Sequence, residues 1–130
     1  MIDLKTSYMG INLKNPLILG ACNISEDTES AKILEDDGIA AIVFKSLFEE
    51  QIIFEKIQLK EFRNEYADRH AEMISVFPSI SHGGPKEHLY KIKKLRNAVK
   101  IPIIASLNCI NKETWIDYAK QLEDTGVDGL

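Results

Sequence analysis

Polar and apolar residues alternate almost strictly from Asp3 to Leu13, with a break at Gly10, and this pattern predicts a short antiparallel hairpin. Pro16 opens a different pattern. Leu17, Ile18 and Leu19 form an unbroken apolar run closed by Gly20 and Ala21, as expected of a strand buried on both faces in a parallel sheet. From Ser25 the chain turns polar: Ser25 or Asp27 can cap a helix, Glu26 and Glu29 suit its positive end, and Ala31, Ile33 and Leu34 supply its buried side. Gly38 marks the stop, and Ile39 to Phe44 form a second apolar strand. A second such unit follows Pro85. Leu89, Ile92, Leu95 and Val99 share one helical stripe, and Ile103 to Leu107 make a third strand. Asn111 can cap a third helix with Trp115, Tyr118, Ala119 and Leu122 on its inner side; Gly126 ends it, and Val127 to Leu130 open a fourth strand. Between Ser46 and Pro85 the pattern is least regular, with a helix over about Phe48–Lys60 and then a polar stretch bearing His70 and His82.

Strands alternating with amphipathic helices predict an α/β fold with right-handed crossovers, in which function gathers at the carboxyl ends of the strands. That rule selects Gly20, Ala21 and Cys22, then Lys45 and Ser46, then Asn108 and Cys109. Lys45 directly follows six apolar residues, so its ammonium emerges at the rim of a buried strand. It either meets an anionic or carbonyl-rich ligand, or it snorkels to water and pairs with Glu49 or Glu50. Gly20 and Ala21 either admit a flat ring close to the backbone or simply mark tight packing. The three histidines lack ligand spacing and read as solvated loop residues, including His88; Glu49 and Glu50 read as a solvated helix start.

Composition narrows the classes. Lys and Arg number 16 against 20 Asp and Glu, a net charge of −4, with no dense basic stretch, so nucleic acid is not an expected partner. No apolar run nears the ~18 residues of a membrane span, and no signal peptide is legible, which places the chain in the cytoplasm. Cys22 and Cys109 form no metal-binding pair and are expected as thiols, and no metal is expected. GxGxxG, GxxxxGK[ST] and GxSxG are all missing from the sequence.

The segments Asn15-Pro16-Leu17-Ile18-Leu19-Gly20-Ala21, Lys45-Ser46, Ile101 to Asn108, Trp115 to Lys120 and Gly126-Val127-Asp128-Gly129-Leu130 together resemble a known family. In order and spacing they are similar to the amino-terminal part of dihydroorotate dehydrogenases, in a divergent dihydroorotate dehydrogenase-like subgroup, and to the flavin domain of dihydropyrimidine dehydrogenases. The resemblance implies the amino-terminal half of an FMN-containing (β/α)8 TIM barrel, preceded by the hairpin, in an oxidoreductase of pyrimidine biosynthesis. Such an enzyme oxidises dihydroorotate or a related dihydropyrimidine by passing hydride to flavin N5. Position by position, it implies that Gly20 and Ala21 lie against the isoalloxazine and that Lys45 contacts the flavin pyrimidine edge and the substrate. Ser46 is implied as a flavin-contacting neighbour, and Asn108 as a flavin or substrate contact. One stretch departs from the family pattern: Ile74 to Gly84 stands where an Asn-rich substrate loop is expected, so orotate specificity does not carry over.

A (β/α)8 barrel takes about 250 residues, with phosphate-gripping loops after its last strands. Residues 1–130 are therefore expected to be a partial FMN-binding barrel domain, inactive alone, whose general base lies beyond Leu130. Two other readings stay open: a non-catalytic half-barrel scaffold that closes its sheet as a homo-oligomer, and another FMN-dependent ene or dihydropyrimidine reductase.

Overall fold

A computed structural model describes residues 2–49, 53, 57 and 84–130. The chain opens with β1 (Thr6–Tyr8) and β2 (Ile11–Leu13), paired antiparallel with Tyr8 opposite Ile11. The two-residue turn between them carries positive φ at both Met9 (52°) and Gly10 (76°), the hand that matches strand twist. The alternation seen in the sequence is thus a hairpin.

β3 (Ile18–Leu19), β4 (Ala41–Val43) and β6 (Ile103–Ile104) form a parallel sheet in that order. Gly129 bridges Ile104 in parallel, and Ala105 donates its amide to the Gly129 carbonyl at 2.8 Å, so the chain end continues the sheet as a fourth member. Beyond breaks of three residues after β4 and two after β6, β5 (Leu47–Phe48) and β7 (Leu107–Asn108) pair in parallel and extend the β4 and β6 paths. Helices α1 (Thr28–Asp36), α2 (Gly84–Ala98) and α3 (Lys112–Glu123) fill the crossovers. Mixed α/β architecture, with these helices and small parallel sheets, is compatible with part of an α/β barrel.

Local chemistry sets the boundaries. Asp27 caps α1 by accepting the Ser30 amide at 3.0 Å, and Gly38 (φ +106°) lets the chain leave the helix in the left-handed region. Asn15 then fixes the entry to the sheet: its Nδ2 donates to the Gly38 carbonyl at 2.8 Å while its Oδ1 accepts the Leu17 amide at 2.9 Å. On the helix side of the sheet, Ile42, Phe44 and Ile103 pack with Ala31, Ile92, Leu95, Val99 and Leu122. On the opposite face, Leu13, Ala40 and Ala41 pack with Ile11 and Ile18, so the hairpin lies over the amino ends of the strands.

Several expectations need correction. β3 is not buried on both faces: Ile18 and Leu19 are only half-buried, and Leu17 before them is 62% exposed. Ile33 points outward from α1, and Trp115 is also exposed, its indole donating to the Cys109 carbonyl at 2.8 Å instead of entering the core. Asn111 occupies the α3 cap position without bonding a helix amide through its side chain. Within the helix expected over about Phe48–Lys60, Glu49, Ile53 and Ile57 are helical, and the rest lies outside the described residues, as do His70 and His82.

Candidate functional site

Because β3, β4 and β6 run parallel, the loops that leave them emerge at one end of the sheet. Gly20 and Ala21 leave β3, Lys45 and Ser46 leave β4, and Ser106 and Asn108 lie along the β6 path. Gly20 is exposed, and a Cβ built on it would meet nothing within 4 Å, so its backbone faces open space instead of packing against a helix. Asn108 is exposed on β7, paired in register with Phe48.

The half-buried hydroxyls of Ser46 and Ser106 are 2.6 Å apart and share a hydrogen across the two strands. Ser25 fills the gap on the other side of β4. Its hydroxyl accepts the Lys45 amide at 3.0 Å and donates to the Cys22 carbonyl at 2.7 Å, replacing the backbone partner that β3 no longer provides. Ser25 is fully buried, so its work is to close the strand end and not to cap α1.

Lys45 itself neither pairs with Glu49 nor is left to water. Its Nζ lies 3.2 Å from Glu26 Oε2, with the lysine side chain 43% exposed. Glu26 also meets Lys91 Nζ at 3.4 Å, and Lys91 meets Glu87 at 3.1 Å, which makes a line of alternating charges from the β4 end to α2. Partial burial pulls the Glu26 carboxyl upward, but the hydrogen bond and charge of Lys45, joined by Lys91, hold it below its ordinary 4.5. Beside this line, His88 sets its ring edge-on to Phe44 at 5.1 Å, and its buried Nε2 has no hydrogen-bond partner among the described residues. Burial depresses its pKa to about 4, with Glu26 opposing the shift and Lys91 and Lys45 adding to it. His88 is therefore neutral at pH 7 and not a solvated loop residue.

Glu49 departs from expectation in the same direction. It is buried, and its carboxylate accepts the Ile110 amide at 2.7 Å, the Asn111 amide at 3.4 Å and Asn111 Nδ2 at 3.3 Å. The Ile110 amide is the main reason its pKa lies below the ordinary carboxylate value. Glu49 thus holds the segment that leads into α3, including Asn111 at the cap position.

An ammonium, two linked hydroxyls and an uncovered glycine backbone at one sheet end suit a flat ligand with an electron-rich, hydrogen-bonding edge. Over its whole length the chain is 25% identical to the catalytic subunit of dihydroorotate dehydrogenase B (NAD(+)) from Thermoplasma acidophilum and 27% identical to that from Thermoplasma volcanium. The similarity supports kinship with dihydroorotate dehydrogenases. It covers 41% and 40% of those proteins, so the chain spans about two fifths of the curated relatives it matches. No protein-family model matches the chain.

Among the described residues there is no cluster of His, Cys, Asp and Glu able to hold a metal, and no helix long and apolar enough to cross a membrane. Sequence reasoning missed Ser25, Glu26, Ser106 and the burial of His88. One signal was available: His88 stands at i−4 from Ile92 and i−7 from Leu95, within the same apolar stripe.

Proposed function

We propose that these residues form the amino-terminal part of an FMN-dependent (β/α)8 dehydrogenase that oxidises dihydroorotate or a related dihydropyrimidine. The observation that carries the proposal is the gathering of Lys45, Ser46 and the open Gly20 backbone at the carboxyl end of neighbouring parallel strands, in a chain similar along its length to dihydroorotate dehydrogenase catalytic subunits. Their chemistry fits an isoalloxazine: nothing lies where a Cβ on Gly20 would stand, so a ring plane can approach the backbone there. Bound flavin supplies a hydride acceptor, and negative charge gathers at its pyrimidine edge when it is reduced. Lys45 opposes that charge with a fixed ammonium. Ser46, its hydroxyl held by Ser106, offers a hydrogen bond of set direction. Gly20 and Ala21 admit the ring plane, and Asn108 presents an amide to the flavin or the substrate from the next strand.

The test is to purify the protein that carries these residues, release any bound flavin by heat and identify it, then add dihydroorotate and other dihydropyrimidines anaerobically. Stoichiometric FMN that bleaches with one of them is the expected result. A protein without flavin, or one bleached only by unrelated reductants, overturns the proposal. Bleaching by a dihydropyrimidine other than dihydroorotate assigns the substrate to another reductase of the same fold.

A further inference from the structure

We infer that Glu26 is the positioning residue for Lys45. The inference rests on the flavin reading above and adds a residue to it. Lys45 has a long, rotamer-rich side chain and is 43% exposed, so without a partner its ammonium would sample many positions over the strand end. Glu26 removes that freedom. It lies in the short 3-10 turn Asn23–Glu26 that follows β3, and its Oε2 lies 3.2 Å from Lys45 Nζ. The turn is itself anchored to β4, because Ser25, the residue before Glu26, accepts the Lys45 backbone amide. One turn therefore grips the same lysine twice, by its amide through Ser25 and by its ammonium through Glu26. The other carboxylate oxygen is taken by Lys91 at 3.4 Å, which turns Glu26 toward α2 and leaves a single oxygen for Lys45. Lys91 is held in turn by Glu87 at 3.1 Å. The ammonium is thus held to the turn that follows β3, at the carboxyl end of β4.

The experiment is a double-mutant cycle on the flavin-loaded protein with sulfite as the probe. Sulfite adds to flavin N5 and bleaches its visible band, and the adduct is favoured by a cation near the pyrimidine edge. Glu26→Gln is expected to weaken sulfite binding about threefold to fivefold, the range of a half-exposed ion pair. In the Lys45→Ala background the same change is expected to have no further effect. Glu29→Gln, which removes an equal charge three residues away from a carboxylate paired only with Lys32 among the described residues, is expected to change nothing. Effects of Glu26→Gln and Lys45→Ala that multiply, or tighter sulfite binding in Glu26→Gln, overturn the inference while leaving the flavin reading intact. If Lys45→Ala alone leaves sulfite binding unchanged, the flavin reading of Lys45 fails. A second measurement then decides the pairing. Peptide-resolved reductive methylation is expected to label Lys45 several-fold faster in Glu26→Gln, and an unchanged rate overturns the inference without reference to flavin.

Discussion

Ser25 joins the loop after β3 to the carboxyl end of β4: its hydroxyl accepts the amide of Lys45 at 3.0 Å while donating to the carbonyl of Cys22 at 2.7 Å. Removing it strands a part-buried backbone N–H, and leaving such a donor unsatisfied costs about 1–3 kcal/mol. Ser25→Ala is therefore expected to lower unfolding free energy by that amount in urea titration, with an unchanged dependence on denaturant. An equal stability in the two proteins removes Ser25 from the role of strand-end partner.

His88 gives the fold a pH dependence of definite sign. Its pKa is depressed from 6.5 to about 4 by burial, so the unfolded chain binds a proton between those values that the folded chain refuses. The stabilisation is fully present above pH 6.5 and is lost as pH falls toward 4. Because the ring is not wholly enclosed, the loss is on the order of 2 kcal/mol. The difference in stability between the protein and His88→Leu, followed from pH 7 to pH 4, is expected to shift by that amount in favour of the leucine variant. A flat difference contradicts the neutral, enclosed imidazole. The lowered carboxyls of Glu26 and Glu49 lose their contributions only below about 4.5, so the two windows are separable.

Glu49 anchors the entry to α3 through the two amides that precede the helix. Glu49→Ala frees the Ile110 and Asn111 amides that its carboxylate accepts, so hydrogen exchange at those two amides is expected to accelerate in the variant. Exchange in the sheet, at Ile42 and Phe44, is expected to stay slow. Uniform acceleration throughout the chain instead reports global destabilisation and no capping role.

Within the proposed dehydrogenase, Lys45→Ala is expected to slow flavin reduction by a dihydropyrimidine about a hundredfold, well short of abolishing it, since Gly20, Ser46 and Asn108 keep their places. Stopped-flow bleaching of the flavin band measures it. An unchanged rate takes Lys45 out of the site.

The elements whose signal is local were legible in the sequence. The apolar run Ile39–Phe44 contains β4, Gly38 and Gly126 stop their helices with positive φ, and the Leu89, Ile92, Leu95, Val99 stripe faces the core. The strand-end rule brought Gly20, Lys45, Ser46 and Asn108 to one end of the sheet without any coordinates. The partners of these residues were not legible. Lys45 finds Glu26 19 positions away, Ser46 finds Ser106 60 away, and Glu49 finds Ile110 61 away. Helical and strand periods encode which face a side chain takes, not which distant loop is folded against it. Glu49 looked solvated for that reason: its neighbours announce a helix start, whereas the amides it serves belong to the distant segment that leads into α3.

The hairpin over the amino ends of the strands makes the sheet directional. A Cβ on Gly129 would lie 3.3 Å from Met9 Cε and 3.5 Å from Ile11 Cδ1, so the hairpin also covers the sheet where Gly129 bridges Ile104. In the proposed barrel, a ligand at Lys45 would then enter and leave from the carboxyl side of the strands.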